Sequence, residues 1–290
     1  MPIDLSKEER TKNKTKDDVV LRGIPPPKNL ETELRKFNQF MIREIRKRFE
    51  NQVLKKMNVS TVDKFQDAQI GNFAVIFNSL VKKFSKKINK QFSNERITKF
   101  VKSLYNEASL TNKKQFNSTI NSNLGIDLDA VLKTDGLNSF INAKSLESIG
   151  VLEKLKAETI AAYKQNVLRQ MSAGNSLRDL FQQVKKDTQL KLKNADLIAR
   201  NELKAFNSQL SKKRAENVGV KKAIWRNAQD ERVRGNPSGI YPNAHQDHWT
   251  LEGKEFEVGV GLKDPRSGEM IEPSEPINCR CIAEYIVEFE

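Results

Sequence analysis

Two adjoining stretches decide the fold: Ala195-Asp196-Leu197-Ile198-Ala199-Arg200-Asn201-Glu202-Leu203-Lys204-Ala205-Phe206, and Lys222-Ala223-Ile224-Trp225-Arg226-Asn227. In the first, Ala195, Ile198, Ala199, Leu203, Phe206 and then Leu210 recur at helical spacing, which predicts a helix over about 192–217 ending at Gly219. In the second the period drops to two, because Ala223, Trp225 and Asn227 alternate with Ile224, Arg226 and Ala228, the mark of a strand. Beyond it, Gly and Pro punctuate the chain from Gly235 to Pro276, and a second alternating run extends from Cys279 to Phe289. The C-terminal part is therefore a small α+β domain rich in loops.

Working outward, helical periodicity also covers about 146–172 and stops at Gly174, a residue suited to the end of a helix. Ser176-Leu177-Arg178-Asp179 resembles a capping box that opens a further helix to about Lys186. Upstream, Phe37, Met41, Ile45, Phe49 and Val53 form one stripe; Phe73, Phe77, Leu80 or Val81, Phe84 and Ile88 form another. A third stretch covers about 95–109. Residues 110–145, rich in Asn, Ser and Thr, read as short helices and loops. Residues 1–28 read as a flexible basic arm ending in the stiff Pro25-Pro26-Pro27. The fold class expected is α+β: an elongated, mostly helical N-terminal and middle region, then the loop-rich C-terminal domain. The boundaries fall at 1–28, 29–145 and 146–290.

Composition narrows the function. The 290 residues hold 51 Lys and Arg against 37 Asp and Glu, a net charge of +14, and only 37% hydrophobic residues. The surplus is uneven: residues 1–250 carry 47 basic and 27 acidic side chains, whereas 251–290 carry 4 and 10. A basic field of this size favours polyanions such as double-stranded DNA, and equally keeps long helices soluble. Lys82, Lys83, Lys86, Lys87 and Lys90, set around the second stripe, are either a solvated face or a ridge that contacts phosphates. No apolar run approaches the roughly 18 residues of a membrane span. The polar start, MPIDLSKEERTKNKTKDD, carries no secretory h-region.

All four of the chain's His and Cys residues (His245, His248, Cys279 and Cys281) fall within residues 245–281. Two imidazoles and two thiolates are the ligand set of a Cys2His2 zinc site, and a domain with little apolar mass gains folding energy from a metal. Zinc is thus the one candidate cofactor. The alternative is two reduced cysteines packed as small apolar residues, with the histidines on a loop. A disulfide between Cys279 and Cys281 is not expected in a reducing compartment. No catalytic residue is assigned. The H-x-E with P-C-x-x-C of zinc deaminases and the H-E-x-x-H of zinc proteases are both absent, and Asp247-His248 matches a nuclease motif only loosely.

One ordered set of motifs carries a resemblance. Ile198-Ala199-Arg200-Asn201-Glu202 is followed by Gly219, Trp225 and Asp230-Glu231-Arg232-Val233-Arg234. His248-x-x-Leu251-x-Gly253 and Pro276-Ile277-Asn278-Cys279-Arg280-Cys281 complete it. Over about residues 146–285 the chain resembles the phage Mu protein F-like family, the minor head or head-morphogenesis proteins of tailed bacteriophages. It departs from the family pattern at Asn201 and by the insertion Gly235–Ala244, which makes His248 a better match than His245. Read physically, Arg200 and Glu202 would pair with Asp230 and with Arg232 and Arg234. Asn278 would bond its own backbone in a turn, and Gly253 would take a positive φ. The resemblance implies a non-enzymatic virion protein inside the head near the portal, made in the host cytoplasm and acting in head assembly, DNA packaging or ejection. Its implied partners are the portal protein, other head proteins and non-specific double-stranded DNA. The competing reading is a nuclease or protein-modifying toxin delivered with the genome.

Overall fold

The predicted stripes become helices whose apolar sides are buried. A computed structural model of the chain describes residues 3–57, 67–133 and 135–289. Its helices are α1 (Lys28–Phe49), α2 (Asp67–Gln91), α3 (Asn94–Leu124), α4 (Asp129–Lys133), α5 (Asn138–Ser172) and α6 (Leu177–Asn217). Its strands are β1 (Asp18–Leu21), β2 (Lys222–Arg226), β3 (Glu255–Glu257), β4 (Leu262–Lys263), β5 (Met270–Ile271) and β6 (Ile282–Glu288). The class is α+β and mostly helical, as expected. Among the described residues, no helix is long and apolar enough to cross a membrane.

The described residues divide into two compact units that do not follow the boundaries at 28 and 145. One comprises residues 32–104 and 142–199. In its core, Met41, Ile45, Phe49 and Val53 of the first stripe are fully buried, as are Phe77 and Ile88 of the second, and Val81 rather than Leu80 faces inward. Phe49 anchors this core, with its ring 5.4 Å from Phe84, 6.2 Å from Phe77 and 5.3 Å from Tyr163. Burial pushes the Tyr163 phenol up to about 12, and it stays protonated and hydrogen-bonded to the Thr188 hydroxyl at 2.6 Å.

The other unit comprises residues 3–31, 105–141 and 200–289. Its antiparallel sheet has the order β1-β6-β2-β3, and β4 pairs with β5 separately. The sheet corrects the expected arm. Within the polar first 28 residues, Asp18–Leu21 alternates outward and inward, and β1 pairs with β6, Val19 opposite Val287 and Leu21 opposite Tyr285. Leu5 is fully buried, and the N–H groups of Thr11 and Lys12 bond the Leu124 carbonyl at the end of α3. Four residues with two inward side chains make too short a period-two signal to stand out among charges, yet they are enough to dock a strand on β6.

Two other expectations change. The Asn- and Ser-rich stretch after residue 109 continues α3 to Leu124, because its polar side chains find partners on α6. Asn112 donates to Asn207 Oδ1 at 2.9 Å and to Ser211 Oγ at 2.8 Å, all three buried. Side chains that would otherwise compete for backbone are thereby occupied. The helices predicted at 176–186 and 192–217 are likewise one continuous α6 of 41 residues. Its start uses the predicted cap: Ser176 Oγ accepts from Asp179 N–H, and Asp179 Oδ2 accepts from Ser176 N–H at 2.9 Å.

Candidate functional site

Alternation on β2 turns Ala223 and Trp225 into the core and leaves Arg226 outside, where it pairs with Glu284 at 2.7 Å. Beyond the tip of β2 the chain returns through Gly253, whose φ of +75° is the positive value expected and whose N–H bonds the Trp225 carbonyl at 2.9 Å. The loop between them carries His248, 2% exposed, with its ring edge-on to Trp225 at 5.4 Å. Just before β6, Cys279 and Cys281 are buried and unbridged. The ligand atoms of His248, Cys279 and Cys281 all lie within 4.8 Å of one another, and His248 Nδ1 is 3.7 Å from Cys281 Sγ. His245 is exposed and takes no part, so the expected four-residue set reduces to three. The Gly235–Ala244 insertion leads straight into His245 on the surface, whereas the next residues run inward.

The motif residues surround this cluster. Gln246 Oε1 accepts from Arg234 and lies 3.3 Å from His248 Nε2, while its amide nitrogen donates to Glu269 at 2.9 Å. Those contacts fix which way the amide points, so its oxygen faces the imidazole. Nε2 therefore carries the proton, and the Nδ1 lone pair is directed at the sulphurs. Arg234 also donates to the Ile277 carbonyl, joining the histidine loop to the cysteine turn. In that turn Asn278 takes φ +61° and Cys279 N–H bonds the Pro276 carbonyl at 2.9 Å. The turn was expected; its device is the left-handed conformation that Asn tolerates, with its N–H donated to Asn201 Oδ1 at 3.0 Å. Gly235, at φ +80°, lies so close to Asp247 that an added Cβ would stand 2.0 Å from Oδ1.

The expected pairing of Asp230 with Arg200 is replaced. Both Asp230 oxygens accept from Arg280, which stands between the two cysteines in sequence and so is nearer than the helix. Glu202 instead accepts from the Tyr105 hydroxyl at 3.2 Å, and Arg232 stays exposed. Lys204 was not singled out in the sequence, although it lies one turn beyond Asn201 on the same helix face. Burial lowers its ammonium to about 8 against the opposing pull of Cys279 and Cys281. Burial also pushes the Cys279 thiol up, but its contacts with Cys281 and His248 outweigh it and hold the group well below the usual thiol range. Hydrogen bonding to Cys279 and burial drive Cys281 upward, so one sulphur of the pair holds its proton.

A loop staple supports the histidine. Asp264 is fully buried and accepts from the N–H groups of Asp247 at 2.7 Å, Ser267 at 2.8 Å and Arg266 at 3.0 Å. Burial raises its pKa and these donors lower it further, leaving it below the ordinary 3.8. The stability it contributes is therefore complete above 3.8 and is lost as pH falls through that value and below. Asp264→Asn is expected to cost about 1–3 kcal/mol at neutral pH. Urea denaturation between neutral and acid pH should show a flatter acid limb in the variant; parallel curves would refute this role.

Residues 159–284 match the family model described as Phage Mu protein F like protein. An uncharacterized protein of Haemophilus influenzae is 25% identical over 267 residues, which cover 88% of this chain and 56% of that relative. The chain thus spans about half the length of the curated relative it matches. No solved structure matches. Asn201, Asp230, Arg234, Gln246, His248, Asn278, Cys279, Arg280 and Cys281 all fall inside the matched segment. Residues 159–284 resemble the phage Mu protein F-like family, and they hold the whole of the buried Cys–His cluster with the bonds that fix it.

Proposed function

We propose that this chain is a minor head protein of a tailed bacteriophage, acting in head morphogenesis beside the portal and the packaged DNA. The match over residues 159–284 carries the reading. Its location would be the virion interior near the portal, reached from the host cytoplasm during assembly. The acidic residues 251–290 would serve contacts with the portal and other head proteins, and the basic helices would serve DNA during packaging or ejection. A role without catalysis is favoured over a delivered nuclease or toxin because His248, Cys279 and Cys281 are each 5% exposed or less, which denies them a substrate.

Lys82, Lys83, Lys86, Lys87 and Lys90 are all exposed on α2, opposite the buried Phe77, Val81, Phe84 and Ile88. Lys82 and Lys86 also line a groove of about 1010 Å³ with Lys156 and Lys164. A ridge of this kind meets phosphates without reading sequence. If all five lysines neutralise phosphates, changing them to Gln should flatten the log–log salt dependence of duplex binding by about 4–5 units. Fluorescence anisotropy across a salt series measures it. An unchanged slope would remove the ridge from the DNA reading, and binding no better than a neutral protein at low salt would remove DNA altogether.

A further inference from the structure

Three features of the Cys–His cluster are unusual for packed core side chains. First, the donors already have the spacing of a coordination sphere. Tetrahedral zinc with bonds near 2.3 Å to sulphur and near 2.0–2.1 Å to nitrogen places S and N about 3.6 Å apart. His248 Nδ1 and Cys281 Sγ are 3.7 Å apart, and Cys279 Sγ completes a triangle within 4.8 Å. Second, the imidazole is held in the tautomer that a ligand needs, with Nε2 toward Gln246 and Nδ1 bare toward the sulphurs. Gln246 is itself held by Arg234 and Glu269, so the ring orientation is fixed by a shell of its own. Third, the sulphur of Cys279 faces backbone donors, Ser274 N–H at 3.3 Å and Cys281 N–H at 3.4 Å, which favour a thiolate.

We propose that His248, Cys279 and Cys281 bind one zinc ion, with one tetrahedral position left for a fourth donor. Two thiolates and an imidazole select a thiophilic ion over magnesium or calcium. On binding, both sulphurs bond the metal as thiolates; Cys281, the one that holds its proton, gives it to solvent, so uptake releases a proton and no redox partner is involved. The ion ties the His248 loop to the entry of β6, beside the core that Leu251 and Tyr285 share.

Elemental analysis of the full chain, purified without chelators, should find about one zinc per chain, and cobalt in its place should give a thiolate-to-metal charge-transfer band. His245→Gln should leave both unchanged. His248→Gln and Cys281→Ser should weaken cobalt affinity by more than 100-fold. Gln246→Leu, which keeps all three ligands, should weaken it by about 10–100-fold. Wild-type protein without zinc and without the cobalt band would overturn the proposal whether or not the variants fold. Affinity unaffected in Cys279→Ser and Cys281→Ser would overturn it too.

Discussion

Replacing Trp225 with Ala is expected to lower the unfolding free energy by about 3–5 kcal/mol. Trp225 is fully buried, among the largest side chains in the sheet unit, and packs with Leu251, Phe256, Cys279, Cys281 and Tyr285 in one core. Its strand has neighbours on both sides, β6 and β3, so the backbone is held at both edges and cannot collapse into the space left by the ring. The indole N–H is buried without an oxygen or nitrogen acceptor and has only the weakly accepting Cys281 sulphur beside it, so the loss comes chiefly from packing. For that reason Trp225→Phe should cost clearly less than Trp225→Ala. Trp249, in the same unit, remains as a fluorescent reporter of urea denaturation in either variant. A shift below about 1 kcal/mol for the alanine would mean that the core closes over the gap.

That ring was legible early because β2 alternates cleanly and because strands and helices leave different periods in a sequence. The stripes of α1 and α2 were legible for the same reason: phenylalanines every three or four residues have one way to be buried together. What escaped depends on partners far away in the chain. Nothing local tells that Val19 and Leu21 will meet Val287 and Tyr285, or that the asparagines after residue 109 will be satisfied by α6 rather than by their own backbone. The cluster shows both sides of this. Its residue types and His248 were readable, whereas the exclusion of His245, the role of Gln246 and the exchange of Arg200 for Arg280 depend on how the loops return. Lys204 escaped because a lysine within a helix resembles any other until its neighbours are known.

The second large effect lies in the buried polar network of the same unit. Asp135→Ala is expected to cost about 3–5 kcal/mol, as much as a large core truncation, although Asp135 is 15% exposed at its side chain. The cost falls on its partner. Arg214 is 1% exposed, and its guanidinium donates to Asp135 Oδ2 at 3.2 Å, to Ser109 Oγ at 3.0 Å and to Asn112 Oδ1. Burial pulls the Arg214 pKa down and the Asp135 carboxylate opposes it, yet an arginine does not shed its proton under these conditions. Without the carboxylate, a full positive charge would be left with two neutral acceptors. Asn112 also donates to Asn207, and Asn207 donates to the Ile24 carbonyl at 3.0 Å, so disturbance reaches the segment between β1 and α1. The double change Asp135→Ala with Arg214→Met removes the charge together with its counter-ion; it leaves Ser109 and Asn112 without the Arg214 donor, while the Leu137 N–H loses Asp135 Oδ1 in both variants alike. It should therefore be more stable than Asp135→Ala alone, despite carrying more substitutions. Denaturation midpoints of the two proteins decide the point. If the double variant is the weaker, Arg214 acts mainly through packing, and the charge is not what Asp135 neutralises.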